Sequence, residues 1–449
     1  MCLIFNVGGI NCTSLLKFIQ KEQGDHKMAI VTPSSRFIQP HTYFGVSHGH
    51  MTDLDLETAT VSAQVEGWSK IDAFNRVAKF DPQNNKLQLQ NGKEYNYKAL
   101  VLGTGLNQDM DQIEGLRELS ANPFQDNVFV HMFDQKERVT NDNYYHGWNN
   151  PNGDMICYAP KTPYKGEGCD FYAFYYEHFM RQDKLIGRAA KNAQIQFWTP
   201  NKEIFRFPYA NEVALEECHK RGIDVMLGWE MLKMYKNEYG QKIAVFKNVD
   251  SGEVIEKDFF SASINPPSGP QNELKDTGLL NHEGLVNVNK HTLQHNVFEN
   301  VFAFGDCAST GTTPTMDAAM AQNPIIKHNL LQYMEGKDLN AIYDGYTFMP
   351  LILGQNYATS FQHLHDFEPC AMNHAVPHYG IFSNIYFGRM LSGGVKASNK
   401  YTGFKKTYGP PHYSYRASFD PLEHNEVLQR KGLTPEDVRH PNAQVPATE

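Results

Sequence analysis

The sequence has little cysteine, no long apolar run and no excess of positive charge, and each absence excludes a class. Its 7 cysteines are scattered, odd in number and never paired as C-x-x-C. That pattern excludes a disulfide framework and a zinc ribbon, and it fits a reducing compartment. No apolar run approaches the roughly 18 residues of a spanning helix. Lys and Arg number 41 against 50 Asp and Glu, a net charge of −9, with no basic stripe. No nucleic-acid partner is expected. Neither an internal repeat nor a low-complexity tract is visible. The opening "MCLIFNVGGI" has no basic region, so neither a signal peptide nor an Arg-rich transit peptide is expected there.

What is present is apolar substance in a regular order. Of 449 residues 41% are hydrophobic, including 28 Phe and 23 Tyr. That fills the cores of two domains, or of one two-lobed α/β protein. "CLIFNV", bounded by Gly8 and Gly9, predicts a buried strand. Thr13 to Gln23 predicts a helix with Leu15, Leu16 and Ile19 on one face, and "MAIVTP" a second strand. A β-α-β unit of this kind opens dinucleotide-binding folds. "KFDPQNNKLQLQNGKEYNYKALVLGTG" predicts a hairpin about Asn91-Gly92, then a buried strand running into Gly103-Thr104-Gly105. Strand and helix alternation restarts from about Asp154 to Asn265, with strands at "MICYAP", "IQFWTP", "DVMLGW" and "KIAVFKNV". "NVFAFGDCAST" predicts another buried strand, ending at Gly305-Asp306. A helix follows from about Thr315, where Ala318, Ala319 and Ala321 allow close packing. Beyond about residue 365 the pattern weakens. The tail from about Lys406 to Glu449, rich in Pro, His and Tyr, reads as an extended arm with a short helix near Leu422 to Lys431.

Several stretches, taken in order, resemble sulfide:quinone oxidoreductases of the mitochondrial type. They are "RFIQPH", "VAKFDPQNNKLQLQNGKEYNYKALVLGTGL", "IEGL", "PKTPYK", "HTLQHNVFENVFAFGDC" and "YDGYTFMPLILG", and the similarity runs over about residues 2 to 365. The resemblance implies an α/β fold of two Rossmann-like dinucleotide-binding domains, the disulfide-reductase-like flavoprotein architecture. It divides the chain into an FAD-type domain in two parts, 1–110 and 285–365, and a second Rossmann-like domain at 111–284. Residues 366–449 are left as a C-terminal membrane- or partner-facing region with its extended arm.

In this fold FAD pyrophosphate sits at the N-terminus of the first helix, where glycines let the backbone approach. In register, the family's turn falls on "VGGINC". Gly9, beside Gly8, holds the point of approach; Val7 and Cys12 replace the outer glycines. The acid that should grip the adenosine ribose is Thr32, a weaker, uncharged partner. Thr104, Gly105 and Asp306 match the family, whose Gly-Asp pair contacts the ribityl and pyrophosphate end. Gly8, Gly9, Thr32, Thr104, Gly105 and Asp306 are therefore the candidate cofactor residues. Two readings stand side by side: a weakened FAD site, or the relic of one without flavin. Neither NAD nor a metal is expected.

The chemistry is more eroded than the nucleotide site. The resemblance implies two thiols flanking the flavin, reactive as thiolates. The first follows the Lys of a TPxK motif and is here Gly166; the second, in YDGYTxCPL, is Met349. A thioether is neither a thiolate nucleophile nor a disulfide partner. A family Lys near flavin and quinone is here Met316. No catalytic residue is expected. Cys169 lies three residues past the lost thiol, a displacement of up to about 10 Å. It and Cys307 read better as small buried hydrophobes. His48 and His50, and His363, His365 and Cys370, lack a third ligand spaced to close a metal site.

These readings point to a pseudoenzyme, a structural or accessory subunit of a mitochondrial inner-membrane, respiratory-chain assembly with other protein subunits as partners. The habitat is implied by the family. The alternative is an active FAD-dependent, quinone-linked oxidoreductase with altered chemistry. Residues 378–394, apolar with one Arg, are a candidate for peripheral membrane contact or for packing on a partner.

Overall fold

The computed structural model describes residues 2–7, 28–33, 70–73, 75–130, 154–167, 173–177, 194–353, 357–368 and 382–383. The expected helix at 13–23, Gly8, Gly9, Cys12, His48, His50, Cys169, Cys370 and the arm lie outside these residues. So does the stretch 378–394, apart from its two-residue strand.

In chain order the first strands are β1 (Cys2–Val7), β2 (Met28–Thr32), β3 (Lys70–Ala73), β4 (Val77–Asp81), β5 (Lys86–Leu89), β6 (Glu94–Gly103) and β7 (Asn107–Gln108). The middle of the chain supplies β8 (Val128–Val130), β9 (Met155–Tyr158), β10 (Ile195–Thr199), β11 (Ile223–Leu227) and β12 (Trp229–Lys236). Then come β13 (Lys242–Asn248), β14 (Val254–Phe259), β15 (Ser261–Ile264), β16 (Ser268–Gly269) and β17 (Val301–Ala303). The last are β18 (Thr347–Ile352), β19 (Tyr357–His363) and β20 (Phe382–Ser383).

Two parallel sheets carry the architecture. In the first, among the described residues, the order is β3-β2-β1-β6, with β17 on the far side of the C-terminal half of β6. Leu100 of β6 stands between Ile4 of β1 and Val301 of β17, all parallel. The strand near residue 301 therefore belongs to the sheet that opens the chain. The N-terminal half of β6 pairs instead with β5 of the antiparallel β4-β5 ribbon, and the turn between β5 and β6 holds Gly92 at φ 83°. The second parallel sheet runs β11-β10-β9-β15-β8. An antiparallel meander, β12-β13-β14, accompanies it.

Strands buried on both faces explain the near-continuous apolar runs. Met28, Ile30, Ala99 and Val101 face one core, while their neighbours Ala29, Val31, Leu100 and Leu102 face another. The second sheet repeats the pattern. Met155, Cys157 and Phe197 join the first core; Ile156, Tyr158 and Trp198 pack against Phe246 and Phe259 of the meander. The core holding Ile30 and Val101 thus also holds Met155 and Phe197. The strands at "MICYAP", "IQFWTP" and "KIAVFKNV" stand as expected. "DVMLGW" is split by Gly228, at φ 79°, into the end of β11 and the start of β12.

The helix Met316–Met334 starts one residue after the sequence expectation. The Thr315 side chain caps it, accepting a hydrogen bond from the Ala318 N–H. Ala318, Ala319 and Ala321 are buried, and the nearest atom to a Cβ placed on Gly305 would be that of Ala319, at 3.7 Å. Small residues here let the helix close on the turn that carries Asp306.

Candidate functional site

The parallel strands of the first sheet end together, and in open α/β folds the C-terminal strand ends face the ligand. Val7 pairs with Gly103 at the edge of that row, and Thr104 and Gly105 follow. Gly105 and Gly305 have φ of 63° and 71°, in the left-handed region glycine adopts without strain. A Cβ on Gly105 would meet nothing within 4 Å. Thr32 closes β2, buried, and its carbonyl accepts from the Asn75 N–H at 3.2 Å. Thr104, Gly105 and Asp306 thus lie at neighbouring strand ends, and Thr32 closes a strand two places along.

Asp306 sits in a single 3-10 turn, Gly305–Cys307. Burial pushes its carboxyl above the usual range, and the Lys165 charge pulls it back. The turn is fixed from the helix: the Gln322 Oε1 accepts the Gly305 N–H at 2.8 Å. Gln322 is 1% exposed. Asp317, in the first turn of that helix, is pushed well above the usual carboxylate range by burial.

Gly166 has φ 85°, a backbone that L side chains adopt at a cost. Met349 is 2% exposed on β18 and pairs with Phe361 of β19. Both belong to the main core with Tyr164 and Phe207. Met316 opens the helix, so the polar family residue is replaced at its first position.

Sequence reasoning missed two residues beside these positions. Glu167, one residue past Gly166, is 2% exposed. The Arg206 guanidinium grips its carboxylate as a fork, Nε to Oε1 at 2.7 Å and Nη2 to Oε2 at 2.9 Å. Nη2 also donates to the Thr312 carbonyl at 3.3 Å. Burial pushes the Glu167 carboxyl up, and the Arg206 charge and hydrogen bonds draw it down. The next residue, Phe207, packs edge-on against Phe361, the partner of Met349, with centroids 6.2 Å apart. The sequence signal was present in "KGEG", a carboxylate between glycines, and in "FRFP", a cation between aromatics. Charges flanked this way sit where the chain is buried, and a buried charge needs a partner.

A cavity of about 90 Å³ lies beside Asp306, with Arg206, Thr312, Thr315, Ala318 and Gln322 in its wall. Pro163 borders it, in a loop from Pro160 to Glu167 that is pinned at both ends. Asn201 donates to the Pro160 carbonyl at 2.9 Å and accepts from the Thr162 N–H at 3.2 Å. The Ser268 hydroxyl accepts from the Lys165 N–H at 3.0 Å, and Asn265 donates to the Lys165 carbonyl at 3.1 Å.

Cys157, Cys218 and Cys307 are core residues. Cys307 points its thiol at the carbonyls of Phe304 and Leu102, 3.4 and 3.8 Å away, and burial pushes it up. The Cys218 thiol is pushed up to about 12 by burial. His363 donates from Nδ1 to the Leu364 carbonyl at 2.7 Å, so its Nε2 accepts from the Thr313 hydroxyl at 3.2 Å. His365 donates from Nε2 to the Tyr343 carbonyl at 3.1 Å. Both rings are packed in the fold through both its layers and its carbonyls, which is the core reading of these histidines.

FAD is the cofactor that such a fold suggests. The residues present fit one end of it: Gly105, Gly305 and Asp306 keep an open, polar turn. They do not fit the whole. The strand end that should carry an acid carries Thr32, and the Arg206 guanidinium, held by Glu167, lines the space beside Asp306.

No family model matches the chain. The mitochondrial sulfide:quinone oxidoreductase of Schizosaccharomyces pombe is 28% identical over 299 residues, 65% of this chain. The match spans 62% of that relative's length. Among solved structures, a chain of the Tetrahymena thermophila mitochondrial ATP synthase has a TM-score of 0.79 at 24% identity, covering 89% of this chain and 95% of that one. The sulfide:quinone oxidoreductase of Aquifex aeolicus has a TM-score of 0.69 at 13% identity, covering 89% and 92%. With two parallel sheets ending at paired glycine turns and the Gly305-Asp306 turn in register, the chain is similar in sequence and in fold to sulfide:quinone oxidoreductases.

Proposed function

We propose that this chain is a sulfide:quinone oxidoreductase-like pseudoenzyme that serves as an accessory subunit of a mitochondrial inner-membrane complex. The observation that carries the reading is the pair of thiol positions. Gly166 has no side chain, and Met349 is a thioether sealed in the core. Sulfide oxidation through a persulfide needs a thiolate, and Cys157, Cys218 and Cys307 are buried.

The assembly role has separate support. The Tetrahymena chain of similar fold is part of a mitochondrial ATP synthase, and the likeness covers 95% of that chain. The curated relatives are named as mitochondrial. An energy-transducing complex of the inner membrane is accordingly the host we propose, with other protein subunits as partners. The arm from Lys406 to Glu449 is the contact we assign to them. Its Tyr and Phe residues are set between prolines and charges, a composition suited to an extended strand lying in surface grooves.

Two experiments test this. Purified full-length protein, assayed with sulfide and a soluble quinone, should show no turnover; turnover at the rate of an active relative sinks the pseudoenzyme reading. Affinity purification from mitochondria should recover a large membrane complex, and truncation before Lys406 should release the chain as a folded protein. Recovery of a free monomer from gently solubilised membranes would sink the subunit reading.

A further inference from the structure

Loss of the two thiols does not by itself remove a flavin, and the residues that would hold one have changed separately. Thr32 stands where the resemblance puts the acid that grips the adenosine ribose. A carboxylate offers two oxygens to the paired ribose hydroxyls, and a threonine offers one. Thr32 is 2% exposed, and its carbonyl accepts the Asn75 N–H at 3.2 Å. The chain itself covers this strand end, so a ribose reaches the Thr32 hydroxyl only by displacing protein.

At the Asp306 end the donors and the charge are used within the chain. Gln322, 1% exposed, takes the Gly305 N–H at 2.8 Å. Gln271 donates to the Thr104 carbonyl at 3.3 Å. Arg206 lines the cavity, but its Nε and Nη2 are forked on Glu167, and Nη2 also reaches the Thr312 carbonyl. Around Asp306 the cations Arg206 and Lys165 face the carboxylates of Glu167, Glu283 and Asp306 itself. Carboxylates are in excess there, and the pyrophosphate of FAD adds negative charge to the same side of the balance.

The space is also small. The cavity beside Asp306 holds about 90 Å³, room for about three waters. Sites that take a small molecule or a cofactor measure about 300–1,000 Å³. The fold has no need of a ligand to join its sheets. Ile30 and Val101 of the first sheet, Met155 and Phe197 of the second, and Phe361 of β19 belong to one apolar cluster. Arg206 adds a polar tie between the segment before the helix Pro208–Arg221 and the turn that leads into the helix Met316–Met334.

We propose that this chain is a flavin-free protein, its cofactor site closed from within by the covered Thr32, by Gln322 on the Gly305 N–H and by the fork that holds Arg206 on Glu167. The inference goes beyond the pseudoenzyme reading, which concerns the thiols alone. It assigns the loss of redox chemistry to the electron carrier as well as to the nucleophiles. A chain of this kind is complete on folding and waits for no cofactor, which suits a subunit whose work is to hold other chains.

The test is flavin content. Native full-length chain, from cells supplied with riboflavin, should release no flavin when heat-denatured, read by fluorescence of the supernatant. The same chain from riboflavin-starved cells should melt at the same temperature. Purified chain is then titrated with FAD to about 100 μM, where a ligand of micromolar Kd raises the melting temperature. It should show neither saturable quenching of flavin fluorescence nor a shifted melt. One flavin released per chain overturns the proposal. So does saturable quenching with a raised melt, the outcome for a cofactor lost during purification. Flavin bound without sulfide turnover sinks this inference and leaves the pseudoenzyme reading standing. Sulfide turnover is the separate measurement that sinks the latter.

Discussion

Gln322 holds the Gly305 N–H through its side-chain oxygen at 2.8 Å, from the second turn of the helix Met316–Met334. The bond ties the helix to the turn that presents Asp306, across 17 residues of chain. Its removal leaves a backbone donor without a partner beside the cavity. Gln322→Leu should cost about 1–3 kcal/mol of stability, read from urea unfolding. A cost below about 0.5 kcal/mol would show that the turn holds itself.

Restoring the thiols should fail twice over. Gly166→Cys places a side chain on a backbone at φ 85° and should cost about 1–2 kcal/mol. Met349→Cys leaves a void in the core and should cost about 2 kcal/mol. The double variant should show no sulfide oxidation, because the thiols need an electron sink. Turnover by the double variant without added flavin contradicts this.

Cys157, Cys218 and Cys307 should be silent towards alkylating reagents in the native state. Cys307 is buried with its thiol aimed at two carbonyls, and Cys218 is pushed up to about 12. Both are thiols, not thiolates, at neutral pH. Labelling with iodoacetamide, mapped by peptide mass spectrometry, should appear only after unfolding. Native labelling of Cys307 at the rate of a free thiol would falsify the inert reading.

His363 gives the fold a defined acid sensitivity. Burial lowers its pKa from the usual 6.5 to about 4. The folded value lies below the unfolded one, so between pH 4 and 6.5 the unfolded chain binds more protons. The stability this group contributes is complete above about pH 6.5 and is lost as pH falls towards 4. The full span is about 3 kcal/mol. The difference in unfolding free energy between wild type and His363→Gln should shrink over that window. An imidazole that titrates near 6.5 by NMR is the contrary result.

Much of the fold was legible because its signals are local. β1, β2, β6, β9, β10 and β17 are short apolar runs that end in glycine, proline or a turn, and burial on both faces makes such runs unmistakable. A helix from about Thr315 was legible in its alanine-rich stretch, and it starts at Met316, where the Thr315 side chain caps it. The loss of both thiols was equally a matter of residue identity: no packing turns Met349 into a thiolate. The meander strands β12 and β14 were not legible. Leu232, Lys233, Glu256 and Lys257 mix charge and apolar side chains without a clean alternation, and β12 and β14 become strands by pairing with β13 between them.

What the tertiary structure alone decided is which distant groups meet. By composition Glu167 is one of 50 acidic residues and Arg206 one of 41 basic ones; surface charges are the common case. They become a buried fork only because β9 and β10 lie side by side and bring their following loops together at the same sheet edge. The same closure puts Thr312 within reach and leaves about 90 Å³ beside Asp306. Local sequence specifies backbone preference and burial, since those depend on neighbours a few residues away. The partner of a buried charge lies 39 or 106 residues off, and only the folded chain, by excluding water from both, makes them a pair.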